Sequence, residues 1–187
     1  IIRRLGEIGV AGFSIIGYIS VVLLALFMGI SQGIQPLISY NYGKGNMDKV
    51  NKVFKMGVKT NLISSIVIYS IMLLVGQKVI GVFNSNAELM KLTYDALIIY
   101  SFSFIIASIN IVNVTYYQST ENSKTANIIS ASRGMVFTII FLLALPSMIG
   151  NIGIWISIIL GEICTLLLIQ LFVKKADVHS NKKGITV

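Results

Sequence analysis

Five apolar runs, each close to the thickness of a bilayer's hydrocarbon core, leave this chain one kind of fold. Such a core is about 30 Å deep and takes roughly 20 helical residues to cross. Inside it no water is at hand for unpaired backbone groups, so each run must close its own hydrogen bonds as a helix. Spanning helices are predicted over residues 12–39, 62–82, 96–117, 135–149 and 153–173. The fold class expected is an all-α integral membrane protein of about five transmembrane helices. Composition agrees: 12% of the 187 residues are charged and 55% are hydrophobic, whereas a soluble domain is about 25% charged.

The stretches between the runs carry the polar residues. Residues 40–59 read as a loop with Gly43 and Gly45 as turn residues, whose second half has a helical pattern and lies at the interface. Asn84, Ser85 and Asn86 signal a turn, residues 118–133 a polar connection, and Gly150-Asn151 a tight turn. Gly29, Gly33 and Pro36 interrupt the first span, which is expected to bend or break near Pro36. Residues 174–187 read as a polar, frayed tail.

A net charge of +8 raises the possibility of nucleic acid, but the basic residues sit in breaks between spans without interleaved aromatics. No nucleic-acid partner is expected; the positive-inside rule accounts for them. With five spans, one side holds Lys44, Lys49, Lys52, Lys55, Lys59, Lys124, Arg133, Lys174, Lys175, Lys182 and Lys183. The other holds Arg3, Arg4, Lys78 and Lys91. The bias predicts a multi-pass protein of the cell membrane with a cytoplasmic C-terminus and tail. Arg3 and Arg4 run against it, partly offset by Glu7. A start on the outer side requires an odd number of earlier spans, so the chain is expected to be part of a longer protein.

Few residues could do covalent chemistry. Cys164 is the one cysteine and His179 the one histidine, so no Cys/His or Ser/His/Asp set, metal site or enzyme is expected. Gly43-Lys44-Gly45 lacks the spacing of a phosphate-binding loop. Polar residues inside the spans carry more. Gln32, Gln35 and Ser39 share a helix face with Ala25 and Met28, and this face either lines a cavity or bonds to neighbouring helices. Ser103, Asn110, Asn113, Tyr117 and Thr120 fall in one sector of the third span, edged by Phe102 and Ile106. That stripe suits a pocket for an amphiphilic or aromatic substrate, or helix packing. Glu162, mid-span in the fifth helix, is either protonated or paired inside the bundle, because a charge there costs about 2.5–3.5 kcal/mol. Its candidate roles are proton relay and interhelical carboxylate. Lys78, Asp95 and Arg133 lie at span ends, where snorkelling or local pairing is expected.

Four segments resemble one family. Gly29, Gln32, Gly33, Gln35 and Pro36, followed by Asn41, Gly43, Gly45 and Asn46, are similar to the eighth helix and next loop of MATE (multidrug and toxic compound extrusion) transporters. Val82-Phe83-Asn84-Ser85-Asn86 with Glu88 resembles the extracellular loop before helix ten. Gln118, Lys124, Thr125 and Arg133 resemble the cytoplasmic loop and start of helix eleven, and Gly153, Trp155 and Glu162 the opening of helix twelve. The resemblance implies two six-helix lobes, of which this chain supplies helices eight to twelve of the C-terminal one. It implies antiport: export of cationic or amphiphilic drugs in exchange for protons or sodium, by alternating access. Its partners would be those drugs, membrane lipids and a missing N-terminal lobe. Some members carry an acid in helix ten, but nothing acidic lies between Asp95 and Glu121 here. The coupling cation, H+ or Na+, is therefore expected mainly in the N-terminal lobe, with no other cofactor. Gln32, Gln35 and Ser39 would face Ser103, Asn110, Asn113 and Tyr117 across a substrate cleft. Two alternatives are a lipid-linked saccharide flippase, which would favour an arginine- or lysine-lined cleft, and a non-transporting scaffold subunit.

The topology has a direct check. In a Cys164→Ser background, a cysteine replacing Lys52 or Lys124 should react with a membrane-impermeant thiol reagent only after cells are permeabilised. One replacing Asn86 should react on intact cells; the reverse pattern would invert the orientation.

Overall fold

The computed structural model describes residues 2–182, and the side chains of residues 6–174. The charges counted at Arg3, Arg4, Lys175, Lys182 and Lys183, the lone His179 and the last part of the tail (183–187) lie outside those described side chains or residues. The elements are α1 (Ile2–Gly43), α2 (Met47–Phe83), α3 (Ala87–Ser119), α4 (Ser123–Ala131), a π-helical turn (Ser132–Val136), α5 (Phe137–Ile149) and α6 (Ile152–Lys182). Because α4 runs through the π turn into α5, five helices among the described residues are long and apolar enough to cross a membrane: Gly6–Gly43, Met47–Phe83, Ala87–Ser119, Ser123–Ile149 and Ile152–Lys174. The all-α, five-span expectation holds.

The helices are longer than the apolar runs, because polar ends continue the helix beyond the hydrocarbon layer. The 40–59 loop shrinks to three residues. Gly45 takes a left-handed φ of 70°, and the Asn46 side chain accepts a hydrogen bond from the Lys49 amide at 3.2 Å, capping α2. Asp48 in the first turn suits the positive end of the helix dipole. Lysines at positions 49, 52, 55 and 59 are exposed while Val50 and Gly57 are buried, so this segment is an amphipathic extension of α2. The 118–133 connection is likewise mostly α4, capped by Asn122 onto the Thr125 amide at 3.4 Å. Asn86 caps α3 through the Leu89 amide at 3.1 Å. Pro36 does not break α1. It removes one N–H and leaves the Gln32 carbonyl without its usual helical donor, yet the helix runs on to Gly43; its one non-helical residue is Gly6.

Helix α3 is the hub, packing on α1, α2, α4 and α6, whereas α5 packs on α6 and the π turn. One apolar cluster joins Ile16, Phe27, Ile80, Leu97, Phe104 and Trp155. A second, among Ile34, Ile38, Val50 and Val112, binds the other ends of α1, α2 and α3. Lipid is as apolar as these side chains, so close fit and interhelical hydrogen bonds must hold the helices together. Asn61, fully buried, supplies such bonds: its amide nitrogen donates to Ser31 Oγ at 3.0 Å and to the carbonyls of Phe27 and Ser108, both at 3.3 Å. Two glycines allow close approaches. A Cβ on Gly57 would strike the Ile34 side chain, and one on Gly153 would lie 2.7 Å from the backbone of Leu145.

Backbone cannot yield as a side chain can. Gly153→Ala should therefore destabilise the α5–α6 hairpin by roughly 1–3 kcal/mol, lowering the thermal midpoint in detergent. Gly29→Ala, with open space around it, should leave the midpoint unchanged or raise it.

Candidate functional site

Three helix faces converge on one cleft of about 270 Å³. From α1 come Met28, Gln32 and Gln35; from α3, Ile111, Val114, Thr115 and Gln118; from the end of α4 and the π turn, Ser130, Arg133 and Gly134. Each set recurs at three- and four-residue steps, the spacing that keeps side chains on one helix face. The side chains of Gln32, Gln35 and Gln118 make no hydrogen bond among the described residues, so their amides are free to meet a ligand. A second hollow, of about 350 Å³, is lined by Leu26, Ile30, Ile63, Val67 and Ile68 with Ser64 alone polar. It offers a ligand little to orient it.

Behind the cleft lies an ion pair. Arg133 Nε donates to Glu162 Oε1 at 2.8 Å, and Asn110 Nδ2 donates to Glu162 Oε2 at 2.8 Å and to the Glu162 carbonyl at 3.0 Å. One carboxylate thus joins α3, α6 and the π turn. The π turn is what widens the backbone beside Arg133. Its displaced carbonyl is met by the Thr138 hydroxyl at 3.0 Å, and Gly161 allows Thr138 close against α6: an added Cβ would come within 3.2 Å of its Oγ1. Removing one partner of a buried pair leaves the other uncompensated, which is why such pairs are costly to break.

The sequence-predicted residues divide. Gln32 and Gln35 line the cleft. Ser39 is exposed and outside it. Asn110, expected on the cleft wall, is fully buried and turned to Glu162. Asn113 is buried and donates to the Ile109 carbonyl at 3.0 Å; Ser103 donates to the Tyr100 carbonyl at 2.6 Å. Tyr117 is buried in a cluster with Ala126, Ile129 and Ile169. The α3 face on the cleft is instead the next one round, 111–118, one residue out of phase with the predicted stripe and so about 100° away. In lipid the most polar face gains most by bonding to other helices. Arg133, for which snorkelling or local pairing is expected, is paired: its Nε meets Glu162 Oε1 of α6 at 2.8 Å, a partner on another helix. Thr115 and Gly134 carry no expectation from sequence, and Gln118 is expected only in a cytoplasmic loop, although Ile111, Val114, Thr115 and Gln118 follow helical spacing that indicates a shared face.

Comparison with known proteins gives a consistent result. The family model described as MatE matches residues 1–144. Multidrug export protein MepA of Staphylococcus haemolyticus is 25% identical over 143 residues, 76% of this chain and 31% of that protein. MepA of Staphylococcus aureus is 25% identical over 144 residues, with 75% and 31% covered. The chain thus spans about a third of the length of these relatives. A solved outward-facing multidrug resistance MATE family transporter superposes with a TM-score of 0.87 at 18% identity, over 97% of this chain and 41% of that one. An inward-facing one gives 0.86 at 18% identity, over 97% and 42%. The five-helix fold is common to both conformations.

The ion pair makes a stability prediction. Glu162→Ala should cost about 1–3 kcal/mol, because Arg133 and Asn110 lose their shared partner while the guanidinium keeps some exposure. The double change Glu162→Gln with Arg133→Gln should recover most of that loss. Unfolding in mixed micelles measures both; equal losses would mean the pair is not a unit.

Proposed function

Given that the chain belongs to the MATE family, we propose that it is the C-terminal lobe, helices eight to twelve, of a secondary active multidrug exporter, and that the cleft is its share of the substrate path. The observation that carries this reading is the convergence of unbonded Gln32, Gln35 and Gln118 with Arg133 on one hollow, flanked by apolar Met28, Ile111 and Val114. A few polar groups in an apolar wall is how small-molecule sites are built. At about 270 Å³ the cleft is just below the usual range of about 300–1,000 Å³, as suits one half of a site completed by an N-terminal lobe. Kinship to proteins named multidrug export proteins supports drugs, cationic or amphiphilic, as the cargo. The reading assigns the chain no catalytic step.

Coupling follows by alternating access, in exchange for protons or sodium. One charge moving through 100 mV releases about 2.3 kcal/mol, enough to drive such a cycle. The cation is held mainly by the other lobe. In favour of this, the membrane part of α3 carries no acid beyond Asp95, and both carboxylate oxygens of Glu162 are already engaged. The multi-pass chain keeps its C-terminus in the cytoplasm, in keeping with the exposed lysines of the α1–α2 connection and early α2. A second reading, a lipid-linked saccharide flippase, gains from Arg133 on the cleft wall; a single guanidinium already paired with Glu162 gives it less support than the family gives export.

Efflux of a fluorescent dye from cells expressing the full-length transporter tests the assignment. Gln35→Ala should slow efflux by roughly 2- to 10-fold, the equivalent of one lost hydrogen bond of about 0.5–1.5 kcal/mol, at unchanged protein level. Asn110→Ala should instead reduce the amount of folded protein. Normal efflux in both Gln32→Ala and Gln35→Ala would remove the cleft from the path.

A further inference from the structure

The flank of α1 opposite the cleft carries a feature of another kind. Ile30 lies two residues beyond Met28, about 200° round the helix. With Leu26 it faces Ile63, Ser64, Val67 and Ile68 of α2 across the apolar hollow of about 350 Å³, and Leu26, Ile63 and Val67 are exposed. The hollow holds little that could orient a ligand, but what stands at one end of it does. Helices α1 and α2 pack side by side and are joined only by Lys44, Gly45 and Asn46. They therefore run antiparallel, with both polar ends together above the hollow.

On α2, Lys59, Lys55 and Lys52 precede Ile63 by roughly 6, 12 and 17 Å along the axis. All three are exposed and lie within about 60° of one another, on a strip that begins about 20° from Ile63. Long stems let such heads gather at one level although their Cα atoms differ in height. On α1, exposed Leu37 continues the direction of Leu26, and Tyr40 and Lys44 follow; the Lys44 ammonium sits 4.2 Å from the centroid of the Tyr40 ring. Tyrosine at that level suits the headgroup layer. Asp48 is the one acid between Glu7 and Glu88, so the rim is strongly positive. A soluble anion would use the lysines and leave the hollow empty, and a neutral lipid would fill the hollow and leave the lysines. An anionic lipid uses both.

We propose that the α1–α2 hairpin holds an anionic phospholipid, with an acyl chain in the hollow between Leu26, Ile30, Ile63 and Val67 and the phosphate at Lys52, Lys55 and Lys59. The site is on the other side of α1 from the cleft and does not depend on what the cleft carries. It lies at the end of the bundle that the lysine bias assigns to the cytoplasm, where anionic lipid attracts basic segments beside a spanning helix. A lipid seated there touches α1 and α2 at once.

The test places a photo-crosslinker, Ile66→benzoylphenylalanine, beside the hollow in the full-length transporter. The nanodiscs contain equal phosphatidylglycerol and phosphatidylcholine with the same acyl chains, and mass spectrometry identifies what is attached after irradiation. The phosphatidylglycerol adduct should exceed the phosphatidylcholine adduct by about fivefold or more. Leu74→benzoylphenylalanine, on exposed α2 surface beyond the hollow, reports bulk lipid and should show a ratio near one. Lys52→Gln, Lys55→Gln and Lys59→Gln together should bring the Ile66 ratio down to the bulk value, whereas arginine at all three positions should keep it. Filling the hollow with Val67→Trp should at least halve the ratio. Added glycerol phosphate should leave it unchanged. Four results each overturn the proposal: adducts only within the transporter's own chain, which would mean that another part of the protein fills the hollow; a ratio at Ile66 no higher than at Leu74; a ratio that survives the glutamine changes or Val67→Trp; or one abolished by glycerol phosphate, which would make the lysines a site for a soluble anion.

Discussion

One carboxylate organises the interior of this five-helix bundle. Glu162 lies in α6 about 15 Å from its start at 1.5 Å per residue, where a lone charge is unsustainable. Its position is tenable because Arg133 meets one oxygen and Asn110 the other. Those contacts fix more than the charge: α6 cannot rotate without pulling Glu162 from α3, and the π turn cannot relax into regular helix without re-aiming Arg133. Insertions of this type recur at functional sites because they re-aim a side chain at small cost. Here the cost is limited by Thr138, whose hydroxyl meets the displaced Arg133 carbonyl.

A second polar centre repeats the logic between α1, α2 and α3. Asn61 spends its amide nitrogen on Ser31, the Phe27 carbonyl and the Ser108 carbonyl, and Ser108 reaches Ser65 at 3.2 Å. Apolar contact alone gives helices no preference for one another over lipid. The two centres therefore set the register that the leucine- and isoleucine-rich faces leave open. Helix α3 belongs to both, which explains why it is the most enclosed of the spanning helices.

How much of this could be read from sequence follows from which signals are local. The five spans were legible because hydropathy over some twenty residues is a local quantity. Their ends were not: lysine and asparagine mark where apolar residues stop, whereas α1 continues to Gly43 and α2 starts at Met47. Gln32 and Gln35 were legible as a polar face, and they line the cleft. Asn110, Asn113 and Tyr117 were equally visible as a stripe, but a stripe does not say what it faces. Asn110 meets a partner 52 residues away, and Arg133 one 29 residues away. Those pairings are products of helix arrangement, and the π turn that aims Arg133 has no hydropathy signature.

The division between bonded and unbonded polar groups bears on how such a lobe works. Asn61, Asn110, Glu162 and Arg133 form bonds inside the five-helix unit, so the unit can turn in the membrane without breaking them. Gln32, Gln35 and Gln118 have no such bonds. An unpaired amide in hydrocarbon costs on the order of 1–3 kcal/mol, so these side chains favour any arrangement that supplies water, ligand or a second lobe. Apart from Arg133, which is paired to Glu162 and also lines the cleft, the groups that hold the bundle together and those that seek something outside it are therefore different residues, and the cleft is where the second set gathers.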